Sequence, residues 1–215
     1  MSEIDLLSVA LQVAALLFAV SVHESAHGWV AWRCGDPTAH DLGRISLNPV
    51  RHVDPLGSVV VPGLLALTGA PVFGWAKPVP VSLARTRHPR RANLLISAAG
   101  PLSNLLLALL FGLVFVVGRP LLASLSGTAF FEPVVLFLLF SVLINVVLAV
   151  FNLLPVPPLD GFGVLESLIP ARWLPVTAAL RRWGMLLLVL LIFSGALRFL
   201  LSPVLRVVHG LLLGP

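Results

Sequence analysis

The stretch LLSVALQVAALLFAVSVHESAHGWVAW at residues 6–32 decides the fold class of this chain. It is longer than the roughly 20 apolar residues that a helix needs to cross a bilayer. His23, Glu24 and His27 interrupt its last third, which is an unusual place for ionisable side chains. Burial of such groups is costly unless they are paired or bind a ligand, so they are candidates for a functional site.

The whole chain has the composition of a polytopic membrane protein. Of its 215 residues, 58% are hydrophobic and 11% are charged, and the mean hydropathy is +1.03. Further apolar segments lie at 56–72, 92–118, 133–154 and 184–201, and the tail at 203–215 either extends the last one or lies in the interface. We expect an all-α membrane protein with about four to six transmembrane helices, because this length leaves no room for a separate soluble domain.

The segment at 56–72 differs from the other apolar segments. It is short, and it contains Pro62, Pro71 and three glycines. A straight spanning helix is therefore doubtful, and we predict a re-entrant hairpin or a short β segment between the first span and the Ala92–Gly118 span.

The distribution of Lys and Arg predicts the orientation, provided that this hairpin enters and leaves on one side. The basic residues of 33–55, 77–91 and 172–182 then share one face, against Arg119 on the other. By the positive-inside rule the first face is cytoplasmic, and the histidines lie toward it. If 56–72 crossed fully, Asp160 would lie on the face opposite the histidines.

Charge and cysteine content limit the partners. The formal net charge is +5, and nearly all basic residues are arginines spread among the connecting segments. That distribution suits contact with the lipid bilayer and predicts no binding to nucleic acid. The single cysteine, Cys34, excludes an intrachain disulfide and a cysteine-built metal site, so a metal ion would need His and carboxylate ligands.

The sequence His23-Glu24-Ser25-Ala26-His27 is a HExxH motif. Residues four apart share one face of a helix, so the two imidazoles can bind one ion while Glu24 is placed to act on a water molecule. The alternative is a polar helix face that forms hydrogen bonds with neighbouring helices.

A catalytic zinc ion takes three protein ligands, and Asp160 is our candidate for the third. It lies just past the inner end of the 133–154 span, at a depth that matches the histidines. Pro155, Pro157 and Pro158 prevent a regular helix there, so we expect an extended segment that folds back into the membrane. Taken alone, Pro-Pro-Leu-Asp-Gly would more often be a plain turn.

Together these motifs resemble the site-2 protease family of intramembrane zinc metalloproteases. The resemblance rests on HESAH at 23–27 and NLLPVPPLDG at 152–161, and extends to AAGPLSN at 98–104, LNP at 47–49, HVDPLG at 52–57 and GWAKPVP at 74–80. It covers about residues 10–170, and the last three motifs are similar to the compact bacterial and archaeal branch. The sequence differs from better-known members in showing neither a PDZ insertion nor a CBS domain.

The resemblance implies a zinc metalloendopeptidase that cleaves transmembrane protein substrates, as in regulated intramembrane proteolysis. It implies one catalytic Zn²⁺ bound by His23, His27 and Asp160, with Glu24 as general base. Asn152 would bind substrate or stabilise the oxyanion, although an amide at a helix end also commonly bonds to the helix backbone. We expect one domain over 1–215, with the catalytic core at about 6–170 and a C-terminal span and tail at 184–215. The protein is expected in the cell membrane with its active site toward the cytoplasm. The sequence makes no prediction of the oligomeric state.

Several other readings stay open at the level of sequence. A membrane metal-binding protein or zinc transporter is the main alternative function, and an inactive relative is a third. His52 and Asp54 are a second possible metal pair, although turn residues fit their loop better. Gly100-Pro101 indicates close helix packing, and Asn145 indicates a polar contact between helices.

Overall fold

The computed structural model describes residues 6–68 and 74–213. Within these residues the chain is helical and contains no β-strand. The helices are α1 (Leu6–Arg33), α2 (Thr38–Asp41), a π-helical segment (Pro55–Val60) that leads into α3 (Val61–Thr68), α4 (Pro89–Val117), α5 (Arg119–Ser124), α6 (Phe131–Asn152), α7 (Asp160–Leu168), α8 (Leu174–Arg182), α9 (Gly184–Phe193) and α10 (Ala196–Leu213).

Three of the helices are long and apolar enough to cross a membrane. These are α1, α4 and α6, and a fourth span results if the bent pair of 171–182 and 184–193 counts as one. The all-α membrane fold predicted from the sequence is therefore confirmed. The described residues give three spans, one fewer than the lowest number expected, or four if the bent pair is one span.

The helices α1, α4 and α6 each contact the other two and form the centre of the molecule. Small buried residues such as Ala19, Ala108 and Ala149 line their contacts. Small side chains allow helix backbones to approach closely, which is how membrane helices pack in the absence of a hydrophobic driving force. Polar side chains are also buried in this bundle, so the space between the helices can hold a polar site.

The chain between α1 and α4 starts and ends on the same side of the bundle. Ala31 near the end of α1 packs against Ala92 and Ile96 near the start of α4, and the Arg87 amide donates a hydrogen bond to the Cys34 carbonyl (3.2 Å). This arrangement excludes a net crossing by residues 35–86. Among the described residues, this stretch contains a helical segment at 55–68 where a hairpin or β segment was expected. Residues 69–73 lie outside the described part of the chain, so the re-entrant path stays a prediction.

The C-terminal region differs from the single helix expected at 184–201. Helix α9 ends at Phe193, and α10 starts at Ala196. Gly195 between them has a φ of +77°, a conformation that glycine adopts easily and that commonly ends a helix. The tail does continue as helix, and Leu212 packs in one cluster with Phe115 and Leu138 of α4 and α6.

Candidate metal centre

The two histidines of the HExxH motif lie one turn apart on α1 and face the interior of the bundle. His23 is 7% exposed and His27 is 8% exposed. Their Nε2 atoms are 3.0 Å apart. The spacing that the sequence predicts therefore brings both imidazoles to one point inside the membrane domain.

Asp160 completes this cluster from a different part of the chain. Its Oδ2 lies 3.1 Å from His23 Nε2 and 3.3 Å from His27 Nε2. Helix α6 ends at Asn152, before the prolines, and Asp160 is the first residue of α7. The chain thus returns through a turn and a new helix, where an extended segment was expected.

The outer nitrogens of both imidazoles have fixed partners. His23 Nδ1 donates to Asn104 Oδ1 (2.6 Å), and His27 Nδ1 donates to the Ile96 carbonyl (2.7 Å). Both partners can only accept, so the Nδ1 atoms carry protons, and the Nε2 atoms are the ring nitrogens that face Asp160. Such outer hydrogen bonds orient metal-binding histidines in many proteins.

The orientation of Asn104 is set by a chain of hydrogen bonds that starts at the α6 backbone. The Ser141 carbonyl accepts from Asn145 Nδ2 (2.8 Å), and Asn145 Oδ1 accepts from Asn104 Nδ2 (2.8 Å). The Ser141 carbonyl can only accept, so this series of hydrogen bonds fixes the orientation of both amide groups and leaves Asn104 Oδ1 to accept from His23 Nδ1. Both asparagines are completely buried. The predicted interhelical contact of Asn145 is confirmed, and it extends to the histidine.

Gly100 allows α4 to pack directly on the two imidazoles. A Cβ atom built at Gly100 would lie 2.5 Å from His23 Cε1 and 2.6 Å from His23 Nε2. Real carbon contacts are about 3.5–4.0 Å. The predicted packing role of Gly100 is therefore confirmed, and the groups packed against it are the histidines.

The cluster fits a zinc ion in its donor types and in its geometry. Two ligands about 2.0–2.2 Å from a tetrahedral zinc ion lie roughly 3.3–3.5 Å apart, close to the distances between the three atoms. Asp160 Oδ2 is buried without a hydrogen-bond partner in the described part of the chain. Two imidazole nitrogens and a carboxylate oxygen this close together need a proton or a cation among them, because all three are electron-rich atoms. Within residues 6–68 and 74–213, this is the one group of three or more His, Cys, Asp or Glu side chains that converge in this way.

Glu24 lies beside the cluster on α1, and its carboxylate accepts a hydrogen bond from a residue outside the cluster. Its Oε2 accepts a hydrogen bond from the Val79 amide (2.9 Å). Val79 belongs to the non-helical segment 74–82. Glu24 is half-buried, as a group that exchanges protons with water must be.

The remaining sequence candidates do not join the cluster. Asn152 Nδ2 donates to the Leu148 carbonyl (2.9 Å), which is the helix-end bond considered from the sequence. Buried His52 bonds through Nε2 to the Ser46 carbonyl (2.7 Å), and Asp54 caps the segment that begins at Pro55. His52 and Asp54 are thus structural, as the loop pattern indicates. Sequence reasoning gave Asn104 no site role, although it lies in a motif that carries the resemblance.

Comparison with known proteins identifies relatives of this chain among zinc metalloproteases. The family model "Peptidase family M50" matches residues 117–194. Two relatives carry the name "Putative zinc metalloprotease". YwhC of Bacillus subtilis is 36% identical over 199 residues, which are 90% of this chain and 85% of the relative. Rip2 of Mycolicibacterium smegmatis is 35% identical over 190 residues, 87% of this chain and 68% of the relative. No solved structure shows a significant match.

The apolar helical fold and these relatives define a membrane-embedded zinc peptidase. The chain belongs to peptidase family M50, the site-2 protease family. It is a multi-pass intramembrane zinc metalloprotease with Zn²⁺ as its cofactor.

Proposed function

We propose that His23, His27 and Asp160 bind the zinc ion and that Glu24 is the general base for hydrolysis of a peptide bond in a transmembrane segment. The observation that supports this most strongly is the convergence of the three ligand atoms within 3.3 Å inside the bundle. A zinc transporter would need several ligand groups along a path, and no second group occurs among the described residues.

The reaction uses one water molecule. Bound zinc supplies a Lewis acid that polarises a carbonyl and makes water acidic enough to ionise near pH 7. Glu24 accepts one proton from the attacking water, whose oxygen bonds to the peptide carbon. The carbon–nitrogen bond then breaks, and Glu24 donates the proton to the departing amine. The products are a new carboxyl end and a new amino end, the second proton of the water passes from the carboxyl group to the amine or to solvent, and Glu24 returns to its starting state.

The substrates in this proposal are transmembrane segments of other membrane proteins. The site lies among α1, α4 and α7, so a scissile bond must reach it from within the bilayer. An intact helix shields its carbonyl groups by its own hydrogen bonds, so the substrate unwinds locally before cleavage. Asn152 is placed at the end of α6, from which its amide binds the substrate or the oxyanion after exchanging its bond to Leu148.

We further propose that the chain lies in the cell membrane with the site toward the cytoplasm. The end of α1, the start of α4 and the end of α6 share the side of the bundle that carries most of the Arg and Lys residues. The positive-inside rule assigns that side to the cytoplasm. Residues 1–215 form one domain in this proposal, with the catalytic core at about 6–170 and the C-terminal span and tail at 184–215.

The test is cleavage of a panel of single-span membrane peptides by the purified protein in detergent. Wild type and Glu24→Gln are compared for turnover and for bound zinc. We expect cleavage by wild type alone, with about one zinc per chain in both proteins. Equal cleavage by Glu24→Gln would refute the role of Glu24, and zinc-free wild-type protein that still cleaves would refute the metal site.

A further inference from the structure

The segment 77–82 provides one backbone N–H that donates a hydrogen bond to the Glu24 side chain. The Val79 amide donates to Glu24 Oε2 (2.9 Å), and Val79 is 8% exposed. Glu24 Oε1 accepts no hydrogen bond from the described part of the chain. The carboxylate is therefore held by one oxygen, and the other oxygen is available to a water molecule.

The sequence around Val79 restricts which amide can do this. Pro78 and Pro80 flank it, and proline has no backbone N–H. The Val79 N–H is thus the single amide donor among these three residues, and Glu24 is its partner. The same prolines limit the backbone to extended conformations, which reduces the freedom of this donor to turn away.

Two anchors hold the segment at either end. At the N-terminal end, the Lys77 amide donates to the His52 carbonyl (2.9 Å), and Arg44 Nη2 donates to the Lys77 carbonyl (2.8 Å). At the C-terminal end, the Ser82 amide donates to Asp36 Oδ2 (2.5 Å). Asp36 is completely buried just after α1, the helix that carries Glu24. The donor and its acceptor are therefore tied to the same framework.

Asp36 is itself held in a fixed orientation. Its Oδ1 accepts from the Thr38 hydroxyl (2.5 Å) and from the Thr38 amide (3.1 Å), while Oδ2 is left for Ser82. Both oxygens are thus used as acceptors, a pattern that an amide side chain at this position cannot reproduce.

We propose that Val79 is a positioning residue for peptide hydrolysis, acting through its backbone N–H on the Glu24 carboxylate, and that Asp36 maintains this contact by anchoring segment 77–82. This inference rests on the proposed role of Glu24 as general base. The bond fixes the rotation of the carboxylate, so that Oε1 meets the attacking water in one orientation. Misplacement of a catalytic group by about 1 Å costs on the order of a hundredfold in rate.

The test replaces single amides by esters in the full-length protein. Incorporation of the α-hydroxy analogue of valine at position 79 removes the N–H that contacts Glu24 and keeps the side chain. The same replacement at Val81 is the matched control, because it also follows a proline and its amide forms no hydrogen bond with the described residues. Zinc content, kcat and KM are measured for both proteins with one membrane peptide substrate.

We expect the ester at position 79 to lower kcat by about tenfold to a hundredfold, with KM within about twofold and zinc content unchanged. The ester at position 81 is expected to behave as wild type. A kcat within twofold of wild type for the position 79 ester would overturn the proposal. So would an equal loss at both positions, or loss of zinc or of folding at position 79, since these outcomes indicate a general role in structure or substrate binding.

Asp36→Asn gives an independent measurement. We expect a loss of kcat in the same range, and no additive loss when it is combined with the ester at position 79, because both changes release the same contact. Additive losses would overturn the role of Asp36. Glu24→Gln separates this inference from the proposed function: active Glu24→Gln protein refutes the base itself, whereas inactive Glu24→Gln with a fully active position 79 ester refutes only the positioning by Val79.

Discussion

The substitution Gly100→Ala tests the packing of α4 on the histidines with the addition of one methyl group. The new Cβ would lie 2.5 Å from His23 Cε1, so the ring or the helix must move by about 1 Å to restore an ordinary contact of about 3.5 Å. Metal–ligand distances tolerate only about 0.2 Å. We therefore expect zinc affinity to fall by about a hundredfold or more, which exceeds the usual effect of changing a neighbouring orienting residue.

Gly112→Ala is the matched control in the same helix. A Cβ at Gly112 would lie 3.8 Å from Val142 Cγ2 and 4.0 Å from Leu212 Cδ2, which are ordinary contacts. The assay is competition for zinc between the purified protein in detergent and a chelator of known affinity. Wild type and Gly112→Ala should retain zinc at chelator concentrations that strip Gly100→Ala. Equal zinc affinity in all three proteins would refute the placement of the histidines against Gly100.

Three further predictions concern side chains around the site. Asn104→Leu removes the acceptor of His23 Nδ1 and should weaken zinc binding by about 10- to 100-fold, measured by the same competition; unchanged affinity would contradict the orienting role. Burial raises the pKa of Asp36, but hydrogen bonds from Ser82 and Thr38 outweigh it and hold this pKa below its usual value. The contribution of Asp36 to stability is therefore present above about pH 4 and is lost as the pH falls through the lowered pKa. Thermal unfolding of wild type and Asp36→Asn should differ at pH 7 and converge in acid, and a difference that does not change with pH would argue against this linkage. Arg181→Gln breaks a partly exposed ion pair with Glu166 and should change the free energy of unfolding by less than about 1 kcal/mol, whereas a larger loss in denaturant unfolding would show that the pair is structural.

The parts of the site that follow a local rule are predictable from the sequence. The helical spacing of HExxH places His23 and His27 together, and the structure brings their Nε2 atoms to 3.0 Å. Asp160 could be chosen because it follows a span that ends at the depth of the histidines. Its position as the first residue of α7 could not be predicted, since a run of prolines excludes a helix through it and does not show where the next one begins.

Contacts that depend on the register between two helices could not be predicted. Asn104 bonds to His23 only because Gly100, one turn earlier, lets α4 approach α1 closely. The sequence shows a polar residue and a glycine in an apolar helix, and this pattern is equally typical of simple helix packing. The Val79 donor was hidden for another reason: it is a backbone group, and side-chain patterns do not report where a loop amide points.

The break in the C-terminal region shows a limit of hydropathy. Most residues on both sides of Gly195 are apolar, with Ser194 and Arg198 as nearby exceptions, so a sliding window predicts one span through them. The positive φ of Gly195 ends the helix locally, and a hydropathy average over many residues does not report such a backbone conformation.

The central claim is that His23, His27 and Asp160 bind the zinc ion, and X-ray absorption at the zinc edge of Asp160→Cys protein tests it most directly. Zinc–sulfur bonds are about 2.3 Å and zinc bonds to nitrogen or oxygen are about 2.0–2.2 Å, so a new sulfur ligand gives a distinct signal. The account predicts nitrogen and oxygen ligands alone in wild type and in the control Asp36→Cys, and one sulfur ligand at about 2.3 Å in Asp160→Cys. Asp160→Cys protein that holds one zinc ion without any sulfur ligand would contradict it.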